Sequence, residues 1–450
     1  MIIPLVLLIA AGHGVADAQH VRGGVAEAAT EGRQQQPPQE ERRDEVVEPS
    51  HWRSRILGMG EYSIKEETEY SSCPEGYPSY GKLGELLTAW SPNQPDVPEE
   101  GVIERLQVLN YSDPEQLAMA TTLQNCEVPF KVVGVPEAEA ASKKWTDEYL
   151  ADKMQQCPRC NVMKSESNRF MFWHKKGGKP NASWKPPTKP QYMTFDKWLD
   201  WSKEAEVQRI GPEDVHYYFT TGVTPGAKTP PDTGEFVADD LPFFSTNTNN
   251  FFIPDVNHQK GIQCRFGARG IIAESHFDHG KNFVLMLRGR KRYLLNPPRA
   301  CPSLGIISEK SHPSFRHSEI DWSDESDWPE GFADAPALET ILEEGELLYI
   351  PSFWYHYIVS EGFNVQCNAR SGLSLRKQWV DETESCMGRE LPHDSTPANP
   401  NKMMEMMRHA KNKGGGGVEG MAARRGRDGR GKEERYRERA KKREQRQHHP

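Results

Sequence analysis

Beyond its extreme N-terminus the chain has no run approaching eighteen consecutive apolar residues, so no membrane span is expected in the mature protein. Cys157-Pro-Arg-Cys160 has no second CxxC to complete a zinc site and no βαβ pattern around it to suggest a redox pair. A local disulfide or two structural thiols is the simpler reading. No internal repeat is found, so a repeat array is not expected. Hydrophobic residues are also few, at 36% against 27% charged, and part of the 450-residue chain is expected to be disordered.

The apolar run Ile2–Ala11 followed by Ala16-Asp17-Ala18 has the form of a signal peptide (1–18) with an A-x-A cleavage site, although no Lys or Arg precedes the run. This predicts the secretory pathway. The last residues, QHHP, match no KDEL or HDEL signal, so the ER or another endomembrane lumen and secretion all stay open. Eight cysteines are an even number that an oxidising lumen would pair in part, in a pattern the sequence does not reveal. Two sequons, at Asn110 and Asn181, fit the same compartment. The net charge of −9 conceals a split between a balance of −18 in residues 1–400 and +9 in 401–450. An acidic body does not suggest a nucleic-acid partner, whereas the basic end could dock on an acidic one.

Residues 19–50 read as a disordered linker, 51–239 as a helical or irregular N-terminal region packing on a core, and 388–450 as a disordered basic tail. Leu83, Leu86, Leu87 and Trp90 share one helical face; Phe195, Trp198 and Leu199 repeat the spacing after Thr194, a fitting N-cap. The Lys/Pro/Gly-rich stretch 174–190 reads as an exposed loop. From about residue 240 the chain breaks into short apolar runs, FVLML (283–287), RYLL (292–295), ELLYI (346–350), WYHYIV (354–359) and FNVQC (363–367), separated by turn residues. That texture predicts a mainly β sandwich or barrel core over 240–380.

Within it lies ESHFDHGKN (274–282). Side chains alternate along a strand, so His276 and Asp278 project the same way and could grip one ion. His356, an isolated polar ring in an apolar strand, is the best third ligand. Two imidazoles and a carboxylate on one face of an octahedron leave three positions open, as in non-haem Fe(II) oxygenases.

The blocks HFDHGKNFVLMLRGRKRYLLNPP (276–298), GELLYIPSFWYHYI (345–358) and NVQCNARSG (364–372) resemble the Jumonji-C (JmjC), cupin-like Fe(II)/2-oxoglutarate-dependent oxygenases, in particular their small protein-hydroxylase branch. The likeness is specific over about 240–375 and absent from the N-terminal quarter and the tail. It implies a double-stranded β-helix (jelly-roll) with a helical N-terminal extension, Fe(II) on His276, Asp278 and His356, and 2-oxoglutarate paired through its distal carboxylate with Lys291. Asn282 and Asn368 match amides near the metal and the cosubstrate. Ala273 stands where some relatives carry a threonine for the distal carboxylate, and the tyrosine that often shares this role could be Tyr217 or Tyr218.

His279 should face away from Asp278 and lie at the surface; His312 and His317 should occupy a rim loop. Phe353, Trp354, Tyr355 and Tyr357 read as core or pocket wall. Together these imply a 2-oxoglutarate-dependent dioxygenase hydroxylating a protein side chain. A small-molecule or glycan hydroxylase, and a non-catalytic cupin-like lumenal scaffold, are the alternatives.

Overall fold

The computed structural model describes residues 73–98, 101–155, 160–174, 180–181, 183–223 and 234–391. The expected signal peptide (1–18) and linker (19–50), Cys157 and the residues beyond 391 lie outside them. Leu83, Leu86, Leu87 and Trp90 do form the packing face of a helix, α1 (Leu83–Ala89), with Trp90 as its C-cap and Leu83, Leu87 and Trp90 buried. Asp113 caps the Pro114–Asn125 helix, α2, by accepting from the backbone N–H groups of Glu115 and Gln116. Pro136–Lys144 (α3) and Asp147–Met154 (α4) follow, then Phe195–Gln208 (α5), Glu235–Asp240 (α6) and Lys377–Met387 (α7). Thr194 Oγ1 accepts from Lys197 N at the start of α5, and Phe195 and Trp198 pack on Phe219 and Phe266. Replacing Thr194 with alanine should therefore cost about 1 kcal/mol, read as a lower denaturation midpoint.

The strands are divided between two sheets. The first seven are β1 (Gly81–Lys82), β2 (Val108–Asn110), β3 (Phe130–Val133), β4 (Cys160–Ser165), β5 (Arg169–Phe170), β6 (Lys189–Met193) and β7 (His216–Val223). Next come β8 (Ile262–Gly267), β9 (Ile272–Phe277), β10 (Gly280–Arg288) and β11 (Lys291–Asn296). The last are β12 (Pro336–Leu342), β13 (Leu347–Ile350), β14 (Tyr355–Ser360) and β15 (Asn364–Leu373). One sheet runs β1-β12-β11-β14-β9-β5, and the other runs β2-β3-β13-β10-β15-β8-β7-β4-β6. This is the mostly β, jelly-roll arrangement expected, with every apolar run named above lying on a strand.

The N-terminal region differs from a purely helical extension. It supplies β1 and β5 to one sheet and β2, β3, β4, β6 and β7 to the other. Apart from the eight-residue β7, these strands are short or, like KPQYM on β6, largely polar and exposed, so they carry little periodic signal. The tail also begins later than 388: Gly388 ends α7 in the left-handed conformation (φ 60°), and the chain turns back to bury Leu391.

The disulfides Cys73–Cys126, Cys264–Cys367 and Cys301–Cys386 tie distant segments together, and Cys160 is disulfide-bonded as well. Between β10 and β11 the chain passes from one sheet to the other in two residues. Gly289 makes this possible: its φ is 66°, and a Cβ there would sit 2.2 Å from the carbonyl oxygen of Phe363. The crossing delivers Lys291 to the interior.

Glu361, in the β14–β15 turn, is 6% exposed. Burial pushes its carboxyl up to about 7 despite Arg290 beside it. A raised folded-state value means that its contribution to stability is full below about pH 4.5 and is lost as pH rises through about 7. Relative to Glu361→Gln, the native chain should therefore lose stability, on the order of 2 kcal/mol, between pH 5 and pH 8. Parallel denaturation curves of the two proteins at those pH values check this.

Candidate metal centre and cosubstrate pocket

His276 on β9 and His356 on β14 are directly paired across the antiparallel ladder, so register alone sets the two rings side by side, 4.2 Å between centroids. Asp278 follows just beyond the end of β9. The backbone N–H of Phe353, itself in the left-handed region at φ 68°, donates to the Asp278 carbonyl over 2.8 Å and ties the two ligand-bearing segments together. One ligand atom from each of His276, Asp278 and His356 lies within 4.8 Å of the others.

Both rings are held through Nδ1: His276 to the Glu274 carbonyl at 2.8 Å and His356 to the Trp354 carbonyl at 3.0 Å. A carbonyl only accepts, so Nδ1 carries the proton and Nε2 keeps its lone pair. Burial pushes the His276 imidazole well below its usual range, with His356 and His317 adding to the effect; His356 is lowered by burial too. Both imidazoles are therefore neutral at neutral pH. Burial alone would raise the Asp278 carboxyl, but Arg370 at 2.7 Å and Arg316 at 3.0 Å outweigh it and hold the group well below the carboxylate range. Both guanidiniums sit on Oδ1, while Oδ2 lies 4.0 Å from His356 Nε2. Two unprotonated imidazole nitrogens and an ionised carboxylate fit a divalent transition metal.

A cavity of about 810 Å³ opens beside the triad. Lys291 is fully buried and donates at 2.9 Å to the Oη of Tyr218, which lines the cavity, and it has no carboxylate partner among the described residues. Burial, with Arg265 nearby, pushes its ammonium well below the usual lysine range. A buried cation without a counter-charge is the site a dicarboxylate would complete. Tyr218, not Tyr217, faces Lys291. Asn368 Nδ2 donates to Asn282 Oδ1 at 3.0 Å, and Arg265 Nη1 donates to Asn368 Oδ1 at 3.2 Å, so both amides belong to a polar column lining the cavity.

The remaining histidines divide. His279 is half-buried against Phe277 and Phe353 and stands apart from the triad, so it does not occupy the surface position expected of it. His317 is no rim residue: it is 2% exposed, stacks on His276 at 4.9 Å and lines the cavity. His312 is partly buried against Trp184. Phe353, Trp354, Tyr355 and Tyr357 are core, Tyr357 stacking on Trp322.

Arg265, Arg316 and Arg370 escaped the sequence reading. Arg370 and Gln366 alternate with Asn368 on β15, and Arg265 alternates with Gln263 on β8, so polar residues at period two in apolar strands were an available signal. Arg316 comes from a loop and had none.

A family profile described as "Cupin-like domain" matches residues 116–369. The chain is 26% identical over 266 residues to tRNA wybutosine-synthesizing protein 5 of Danio rerio, covering 59% of this chain and 75% of that protein. It is 35% identical over 104 residues to the Gallus gallus protein of the same name, covering 23% of this chain and 31% of that protein. Lysine-specific demethylase JMJ30 of Arabidopsis thaliana is 31% identical over 126 residues, 28% of this chain and 27% of that protein. The chain thus spans less than a third of two of these relatives. With the profile covering more than half of its length and the fold agreeing, the chain belongs to the cupin-like (JmjC) domain family.

Proposed function

We propose that the protein is an Fe(II)- and 2-oxoglutarate-dependent dioxygenase that hydroxylates a protein side chain in the secretory pathway. The observation that carries this reading is the pairing of a neutral-imidazole and carboxylate triad with a buried lysine that has no carboxylate partner among the described residues and is bonded to Tyr218 in the wall of the same pocket. Fe(II) and 2-oxoglutarate, when bound, supply the oxidising chemistry: one oxygen atom of O2 enters a substrate C–H bond and the other enters succinate, with release of CO2. His276, His356 and Asp278 Oδ2 would hold the metal. Lys291 and the Tyr218 hydroxyl would hold the distal carboxylate, taking the place of the threonine contact that Ala273 cannot make. Asn282 and Asn368 would position the other end. Arg316 and Arg370 keep Asp278 Oδ1 occupied and leave Oδ2 for the metal.

A protein substrate is favoured by the acidic body, which repels nucleic acid, and by an aromatic stretch, Phe172-Trp173-His174, along the cavity. Relatives named as a lysine-specific demethylase and a histidyl-hydroxylase support it as well. The relatives named for tRNA wybutosine synthesis favour a second reading, oxidation of a nucleic-acid base. A small-molecule or glycan hydroxylase, and a scaffold without turnover, are further alternatives. The disulfides and the N-terminal apolar run favour an oxidising lumen. The basic tail would contact an acidic partner there.

The test is incubation of the full chain with Fe(II), 2-oxoglutarate, and lumenal proteins in one arm and tRNA in the other. A gain of one oxygen on a protein side chain, dependent on 2-oxoglutarate, is expected. Oxygen gained only by RNA, or by neither, would contradict the reading.

A further inference from the structure

The cavity carries more positive charge than the proposed cosubstrate requires. Arg265, Arg316 and Arg370 line it, the last two on Asp278, and buried Lys291 is bonded to Tyr218 in its wall, while Asp278 is the one acidic side chain lining it among the described residues. This is a cationic hollow in a chain of net charge −9. A divalent metal and a dicarboxylate would cancel each other, and Asp278 offsets one of the three guanidiniums that line the cavity. Partly enclosed guanidiniums that outnumber the carboxylates around them keep donors for an anion, so the site is suited to receive a further negative group.

Arg316 shows where. Its backbone is in the left-handed region at φ 69°, which is unfavourable for a non-glycine residue and persists only where the surroundings hold it. Here Arg316 N donates to the Ile307 carbonyl at 2.9 Å and His317 N to the Ser314 carbonyl at 3.2 Å. The twist sends the guanidinium into the cavity. There Nη1 alone is engaged, on Asp278 Oδ1 and the Phe277 carbonyl, and the side chain stays 20% exposed. Arg370, 21% exposed, spends Nη1 on the same Asp278 oxygen and Nη2 on Gln263. Two guanidiniums from different elements thus converge on one carboxylate oxygen and keep donors to spare beside the metal position.

We propose that Arg316, backed by Arg370, is a specificity-determining residue that takes a carboxylate of the substrate. The substrate is then a peptide carrying Asp or Glu at, or next to, the oxidised residue. The inference rests on the oxygenase reading above. A planar guanidinium fork matches a carboxylate in two parallel hydrogen bonds. Phe172 and Trp173 in the cavity lining suit a peptide, whereas a polyphosphate chain would meet the acidic body.

The test immobilises the full chain loaded with Mn(II) and N-oxalylglycine, a non-reacting stand-in for 2-oxoglutarate, and exposes it to a random capped-nonapeptide library and a single-stranded RNA pool. Retained peptides should be enriched in Asp and Glu over Asn and Gln by about tenfold, the value of a charge-assisted pair. Arg316→Gln should abolish the enrichment and Arg316→Lys should keep part of it, with Mn(II) content measured in each preparation. No acidic enrichment, equal enrichment in Arg316→Gln, or retention of RNA in place of peptide would overturn the proposal. Loss of Mn(II) from Arg316→Gln would also overturn it, because the residue would then act through Asp278. If the native chain binds neither Mn(II) nor N-oxalylglycine, it is the oxygenase reading that fails.

Discussion

Replacing His276 with alanine should lower bound Fe(II) and 2-oxoglutarate-dependent succinate release by more than about 100-fold, since loss of groups that merely orient ligands already costs 10–100-fold. The triad leaves no substitute. His317 stacks on His276, but its Nδ1 lies 3.2 Å from the carbonyls of Ser314 and Phe315, and burial holds its ring down to about 3. His279 packs against Phe277 and Phe353, outside the triad. Asp278→Ala should be as severe for metal binding and should also leave Arg316 and Arg370 facing each other without their shared carboxylate. Its stability should therefore fall where that of His276→Ala does not. Metal content by elemental analysis, read beside thermal unfolding, separates the two effects.

Replacing Lys291 with methionine should act in opposite directions on binding and on folding. Removing one member of a buried charge pair costs about 3 kcal/mol, so affinity for 2-oxoglutarate should fall roughly 100-fold. The ligand-free chain should unfold at a higher temperature, because a fully buried ammonium whose partner is a neutral tyrosine hydroxyl gives way to an apolar side chain of similar length. Tyr218→Phe should weaken 2-oxoglutarate binding less, by about tenfold, through loss of one hydrogen bond to a charged group. Titration calorimetry and thermal melts on the same three proteins check the pattern. A Lys291→Met protein less stable than the native chain would mean that the lysine is structural.

Much of this centre is legible in the sequence because it depends on strand register. His276 and Asp278 sit two residues apart, and His356 is the lone imidazole in a strand that is otherwise apolar or aromatic up to its final Ser360; pairing of β9 with β14 does the rest. Lys291 is legible only through the family resemblance, since a lysine beginning a strand ordinarily reads as solvent-facing. Tyr217 and Tyr218 cannot be told apart by composition, because the choice depends on which face of β7 turns inward. Arg316 owes its position to a loop with a left-handed residue, and nothing in HPSFRHSEIDW announces that backbone. The strands that the N-terminal region adds to both sheets were hidden for a related reason: they are short edge or joining segments whose partners lie far along the chain, as β3 pairs with β13.

The most direct measurement is anaerobic equilibrium binding of Fe(II) and 2-oxoglutarate to the full chain. The account predicts one metal ion per chain, 2-oxoglutarate binding that requires the metal, and loss of that binding in both His276→Ala and Lys291→Met. A chain that binds 2-oxoglutarate equally well without metal, or one whose metal binding survives in His276→Ala, would contradict it.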